Sequence, residues 1–310
     1  MRTAFIFPGQ GSQNVGMGRE LAETQPLARQ VFEEADRVLG MRLSSLCIEG
    51  PEEELRLTVN TQPAILTTSI AALRVLENRG ARPDFVAGHS LGEYSALVAA
   101  GSLRFDDALR AVRKRGLYMQ EAVPPGEGAM AALIGIDIDV VRSICSEASS
   151  LGVCAPANIN SPIQTAIAGH RPAVEKAVRL AKSRGAKRAV MLAVSAPFHS
   201  ELMKPAAERL VGVFSEIEFS GLTVPLVTNV DAALIRTGDQ ARDALLRQVA
   251  SPVRWSESIK RLLDEGVTRF VEVGPGKVLS GLVRQISRQC EILNVENIQS
   301  LDAASAALGL

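Results

Sequence analysis

The segment Gly88-His89-Ser90-Leu91-Gly92 constrains this chain most. It follows the apolar run Phe85-Val86-Ala87 and precedes Glu93-Tyr94-Ser95-Ala96-Leu97-Val98-Ala99-Ala100. The order is strand, sharp turn, helix, with a serine at the apex: the G-x-S-x-G pattern of a nucleophile elbow. Flanking glycines remove the Cβ atoms that would collide in so tight a turn. The Ser90 hydroxyl then stands at a strand end, and the N–H groups after it open a helix whose N-terminus favours a developing oxyanion. The plain alternative is a glycine-rich turn with a serine capping a helix.

An elbow of this kind needs a sheet behind it. Residues 3–7 read as a short buried strand, closed by Pro8-Gly9-Gln10-Gly11-Ser12-Gln13. Helical patterns run to about residue 39, then over 63–79 and 106–122. Apolar strands bounded by Gly and Pro and alternating with helices predict a parallel sheet covered on both faces. The pattern changes at Pro124-Pro125-Gly126-Glu127-Gly128. From there the reading is strand 129–135, helix 138–149, strand 152–159, a turn at Asn160-Ser161-Pro162, strand 164–169, helix 172–184 and strand 187–194. That βαββαβ order is the ferredoxin-like split βαβ. Residues 127–196 therefore read as a small α+β subdomain inserted into a larger α/β unit made of 1–126 and 197–310. The larger unit resumes with a helix from about residue 200, a strand at 226–229, and helices near Gln240 and Ser256. A strand at 268–273, a Gly274-Pro275-Gly276 turn, a helix and a strand at 292–295 close it.

Composition narrows the function classes. A chain of 310 residues, 46% hydrophobic, can bury a large core. Lys plus Arg (34) equals Asp plus Glu (34), so no basic excess points to nucleic acid. Aromatics at 4% argue against stacking platforms for single strands. The N-terminal apolar run stops at Pro8-Gly9, so no signal peptide is read there. The longest uncharged apolar stretches, such as 129–136, are far too short to span a membrane. Cys47, Cys145, Cys154 and Cys290 lack metal-ligand spacing and read as free thiols in a reducing cytoplasm.

A nucleophilic serine needs a base, and the chain has three histidines. His89 adjoins Ser90 and should point away from its hydroxyl. His170 ends a strand at an expected surface corner before Arg171-Pro172. His199 lies in Ser195-Ala196-Pro197-Phe198-His199-Ser200, where the chain re-enters the larger unit across a cleft. It is the candidate base; the alternative is a surface histidine capping the next helix. Arg115 is the second clue. At ~100° per residue, Ala108, Val112 and Met119 form an apolar stripe and Arg115 falls within it, while Arg110, Arg113 and Lys114 lie on the other face. An inward guanidinium requires an anion or several acceptors, and its planar fork suits a carboxylate. A structural ion pair or an outward-bent side chain is the alternative. Beside a nucleophilic serine, it points to an acyl group that carries a free carboxylate. Gln10, between Gly9 and Gly11, sits at the strand edge where open α/β sheets form ligand crevices.

Taken together, these segments resemble the malonyl-CoA:acyl carrier protein transacylases of fatty acid synthesis. The resemblance runs nearly end to end: FPGQGSQ (7–13), TQPAI (61–65), GHSLGEYSALVAAG (88–101), RGLYMQEAVP (115–124) and GAMAALIG (128–135). NINSPIQTAIAG (158–169), FHSELMKPAA (198–207), SPVRW (251–255) and VEVGPGKVLSGL (271–282) continue it. It implies an α/β-hydrolase-like core with a parallel sheet plus an inserted ferredoxin-like subdomain. It implies a dyad of Ser90 and His199, the histidine being oriented by the backbone carbonyl of Gln248. The Gln10 and Leu91 N–H groups would form the oxyanion hole, and Arg115 would bind the malonyl carboxylate. Met119, Asn158, Asn160 and Phe198 would line the cleft, with Leu91 and Phe198 resembling the malonyl-selecting pattern. The implied partners are malonyl-CoA or coenzyme A and an acyl carrier protein. No metal or other cofactor, no nucleic acid and no membrane are expected. Lys182, Arg184, Lys187 and Arg188 cluster as candidates for meeting an acidic carrier. The alternatives are a discrete acyltransferase of a polyketide synthase and a serine thioesterase or esterase.

Overall fold

The computed structural model describes residues 1–194 and 196–310. Ser195, which opens the histidine segment read from the sequence, lies outside the described residues. The strands are β1 (Arg2–Phe7), β2 (Phe85–Gly88), β3 (Gly128–Ile134), β4 (Cys154–Ser161), β5 (Gln164–His170), β6 (Arg188–Met191), β7 (Leu226–Val227), β8 (Leu234–Ile235), β9 (Val267–Val273) and β10 (Glu291–Val295). They form one six-stranded sheet, β10-β9-β1-β2-β7-β8, and one four-stranded sheet, β4-β5-β3-β6.

In the large sheet β10, β9, β1, β2 and β7 are parallel, and β8 closes the edge antiparallel to β7. Helices cover both faces, so β2 is buried along its length and β1 from Thr3 onward. This accounts for their unbroken apolar runs. The β1–β2 register aligns the two segments that carry the site. Phe7 pairs with Gly88, so both strands end at the same level and their loops emerge side by side. The His89 N–H donates to the Phe7 carbonyl (3.0 Å) across that end.

The four-stranded sheet is antiparallel throughout, and helices Ile138–Ala148 and Arg171–Ser183 complete the βαββαβ order. It has its own apolar core, with Ile144, Ile167 and Val174 fully buried. The architecture is thus the α/β-hydrolase-like core with a ferredoxin-like sheet that the sequence predicts. The two parts are joined: Ile159 N donates to Val253 O (2.9 Å) and Val253 N to Ala157 O (2.8 Å).

Several local expectations shift. The turn expected at Asn160-Ser161-Pro162 is Pro162-Ile163, because Ser161 pairs with Gln164 and extends β4. The helix expected from residue 63 is Thr58–Asn78, with Pro63 inside it. Proline there removes the donor that would answer the Val59 carbonyl. Arg113 supplies one at 3.3 Å and also donates to Asn60 Oδ1 (2.7 Å), so it is half-buried rather than on a fully solvated face. The strand expected at 226–229 ends at Val227, because Asn229 turns its N–H to the Glu93 carboxylate. Helices Leu43–Glu49, Glu52–Arg56 and Ile298–Leu308 were not expected. The last opens on the reciprocal capping box of Asn297 and Ser300.

Candidate active site

The elbow is built by excluded volume. A Cβ on Gly88 would lie 1.9 Å from the Gly92 carbonyl, and one on Gly92 would lie 2.0 Å from the Phe7 carbonyl oxygen. A Cβ on Gly9 would meet the His89 carbonyl oxygen at 2.3 Å. The Gln10 loop and the serine turn therefore approach at backbone contact. Ser90 itself has φ +52°. Among the described residues three non-glycine residues adopt positive φ: Ser90, His199 (φ +58°) and Ala232. Such conformations cost on the order of 1–2 kcal/mol and persist where surroundings over-determine them. Here the restraint on Ser90 is Asn229, whose Oδ1 accepts the Ser90 N–H (2.6 Å) while its Nδ2 donates to Gly88 O (2.6 Å).

His199 meets Ser90, with Nε2 2.7 Å from Oγ. Its Nδ1 lies 2.9 Å from the Gln248 carbonyl oxygen. A carbonyl only accepts, so Nδ1 carries the proton and Nε2 is free to take one from Ser90. Burial, then the charge of Arg115, pushes the His199 imidazole down to about 3. It is therefore a neutral base across the neutral range.

Arg115 is 1% exposed. It lies on the Phe105–Glu121 helix with Ala108, Val112 and Met119 buried alongside. One Nη donates to Gln62 Oε1 (2.8 Å); the other donates to both Gln248 Oε1 (2.9 Å) and Ser90 Oγ (3.0 Å). Its Nε has no partner, and none of its salt-bridge distances reaches a carboxylate among the described residues. A buried guanidinium held by neutral oxygens is a cation prepared for an incoming anion.

A cavity of about 120 Å³ opens over these groups. Gln10, Ser90, Leu91, Arg115, Met119, Asn158, Phe198 and His199, all singled out in the sequence, line it. So do Gln62, His89, Met130, Leu192 and Val194, which were not assigned there. Asn160 differs from expectation. It does not line the cavity; its Oδ1 accepts from His89 Nε2 (2.8 Å), and the His89 ring meets Trp255 edge-on. Gln248 acts from behind His199 rather than in the cavity. His170 is half-buried, its Nδ1 accepting from the Val153 N–H (2.9 Å). Of the basic cluster, Arg184 is ion-paired with Glu147, and Arg188 opens β6 at the end away from Leu192. Among the described residues no group of three His, Cys, Asp or Glu side chains is placed to hold a metal ion.

Comparison with known proteins places the whole chain in one family. Residues 4–306 match the family described as the acyl transferase domain. The chain belongs to this acyl transferase family. Among acyl transferases it is 51% identical over 308 residues to the malonyl CoA-acyl carrier protein transacylase of Bacillus subtilis (strain 168), covering 99% of this chain and 97% of that one. The solved malonyl CoA-acyl carrier protein transacylase of Coxiella burnetii superposes with a TM-score of 0.97 at 45% identity, covering 99% and 98% of the two chains. A malonyl-transacylase solved in complex with a type II polyketide acyl-carrier protein also superposes at 0.97, with 46% identity over 99% of this chain and all of that one.

Sequence reasoning missed Gln62, Asn229 and Glu93. Gln62 stood in the TQPAI segment, where a glutamine before an internal proline in a helix that is otherwise buried was a readable signal. Asn229 offered none, since its partners lie about 140 residues away.

Proposed function

We propose that this chain transfers a malonyl group from malonyl-CoA to the phosphopantetheine thiol of an acyl carrier protein through a malonyl-Ser90 intermediate. The observation that carries this reading is Arg115: a buried cation whose Nη2 stands 3.0 Å from the Ser90 hydroxyl and which, among the described residues, pairs with no carboxylate. An ordinary esterase has no use for such a charge beside its nucleophile.

In this reading the proton and acyl movements follow one order. His199 Nε2 takes the Ser90 proton as Oγ attacks the thioester carbonyl. The N–H groups of Gln10 and Leu91 are the proposed oxyanion donors, each worth ~3–4 kcal/mol of barrier. Arg115 exchanges its bond to Ser90 Oγ for the malonyl carboxylate as the ester forms. His199 returns its proton to the coenzyme A thiolate, which leaves. The carrier's thiol then attacks the ester, and the same groups act in reverse. One thioester is exchanged for another, so the reaction calls for no metal or redox cofactor. Leu192, Val194, Met130 and Phe198 give the cavity an apolar wall that disfavours water at the ester.

Among the described residues no helix is long and apolar enough to cross a membrane. We place the protein in the cytoplasm; Cys47, Cys145, Cys154 and Cys290 are all free, which suits a reducing compartment. A polyketide carrier is the second reading for the acceptor, favoured by the 46% identity to the transacylase solved with such a carrier. The test is to trap the enzyme with labelled malonyl-CoA, map the labelled peptide and chase with holo-carrier. One label on Ser90 that moves to the carrier thiol is expected. Free malonate as the chief product, or label elsewhere, refutes the reading. Competition between fatty-acid and polyketide carriers decides the acceptor.

A further inference from the structure

Glu93 lies three residues beyond the nucleophile and is 1% exposed. A carboxylate in the first turn of a helix ordinarily faces water and complements the helix dipole. Glu93 does neither. Its Oε2 accepts from Gln248 Nε2 (2.8 Å) and from Asn229 N (3.2 Å). Among the described residues its salt-bridge distances reach no Lys, Arg or His. A buried carboxylate bound only to amides requires another account.

The two residues it holds are the two that hold the elbow. Asn229 accepts the Ser90 N–H. Gln248 donates to Ser90 O (2.9 Å), accepts from Arg115 through its side chain and accepts from His199 through its backbone. The side-chain amide of Gln248 is the sensitive part. Its two ends have nearly the same shape and opposite hydrogen-bonding character. With Nε2 toward Glu93, Oε1 faces the guanidinium. Turned over, the amide would present two N–H donors to a buried cation. Glu93 Oε2 already accepts the Asn229 N–H, so it meets the Gln248 amide as an acceptor and favours the first orientation, as does the Ser90 carbonyl on the same Nε2.

We propose that Glu93 is a positioning residue that sets the enzyme's preference for a carboxylated acyl group: by orienting the Gln248 amide it aims Arg115 at the acyl chain on Ser90. This deepens the malonyl-transfer reading and rests on it. Glu93 touches no reacting atom. Its effect is specific to the acyl carboxylate, because an acetyl group uses Ser90, His199 and the oxyanion donors but leaves Arg115 without a ligand.

The test compares kcat/KM for malonyl-CoA and acetyl-CoA with holo-carrier in the full-length protein. Glu93→Met removes the acceptor and keeps the volume. The malonyl-to-acetyl ratio is expected to fall about tenfold, or ~1.4 kcal/mol. Glu93→Gln, whose amide oxygen fits the Oε2 position, is expected to restore most of that ratio. General structural damage would lower both substrates together. Gln248→Met carries the same test independently, since it deletes the side-chain amide and keeps the backbone carbonyl for His199; the ratio is expected to fall there as well, and this variant decides if Glu93→Met does not fold. A ratio within twofold of the parent's in the folded variants overturns the proposal, as does a Glu93→Gln ratio as low as that of Glu93→Met. If the parent protein itself moves no malonyl, it is the functional reading that fails, not the role of Glu93.

Discussion

Replacing Arg115 by methionine isolates the charge on which the functional reading turns. The side-chain volume is nearly kept, so packing against Tyr94, whose ring centroid lies 5.6 Å from the guanidinium carbon, is largely preserved. A malonyl carboxylate in the fork would take two charge-assisted hydrogen bonds, each worth a net ~1.5–3 kcal/mol. Losing both raises the malonyl transition state by ~3–6 kcal/mol, or about 10²–10⁴-fold in kcat/KM. Acetyl transfer lacks that contact and should change by less than about tenfold. Folding stability should change little, because two effects oppose one another. The desolvation penalty of a buried guanidinium disappears. The side-chain oxygens of Gln62 and Gln248 lose their donor, at about 1–3 kcal/mol each. The assay is steady-state transfer to holo-carrier from malonyl-CoA and acetyl-CoA, with thermal unfolding as the control. A malonyl kcat/KM within tenfold of the parent's, or a parallel fall for both acyl groups in a folded variant, would refute the assigned role of Arg115.

Other perturbations test the supporting geometry. Gly92→Ala places a Cβ 2.0 Å from the Phe7 carbonyl oxygen and should cost about 3 kcal/mol or more in chemical denaturation, whereas Gly212→Ala, with open space around it in the Lys204–Ser215 helix, should stabilise by ~0.5–1 kcal/mol. Asn229→Ala orphans the Ser90 N–H and the Gly88 carbonyl and should lower stability by about 1–3 kcal/mol per lost partner, with a slower acylation of Ser90; an unchanged rate speaks against its hold on the elbow. Because His199 is depressed to about 3, acetylation of Ser90 should show no histidine limb between pH 5 and 7, and a limb centred near the ordinary 6.5 contradicts this. Its folded value lies below the unfolded one, so the stability contributed by the neutral imidazole is intact above pH 6.5 and is lost as pH falls toward about 3.

The elbow was legible because its causes are local. Gly88 and Gly92 are required by contacts within five residues or with the adjacent strand end, and a short sequence window contains that information. Arg115 was legible because helical periodicity alone carries a charged residue onto the buried stripe of its helix. His199 emerged by elimination among three, which worked because the other two occur where backbone geometry or a surface corner turns them aside. The Pro63 helix misled the reading because the donor that tolerates the proline, Arg113, comes from a different helix.

From its sequence alone, this chain determined the alternation of its elements, the serine turn and the side of one helix on which a cation would lie, since each depends on sterics and periodicity between near neighbours. Tertiary structure alone decided that Asn229, Gln248 and Glu93 converge behind Ser90, and that the Asn160 side chain restrains His89 instead of facing the acyl group. A buried polar group must find its partner wherever the folded backbone offers one. For these residues the partners that tie them to the Ser90 turn lie up to 158 positions away.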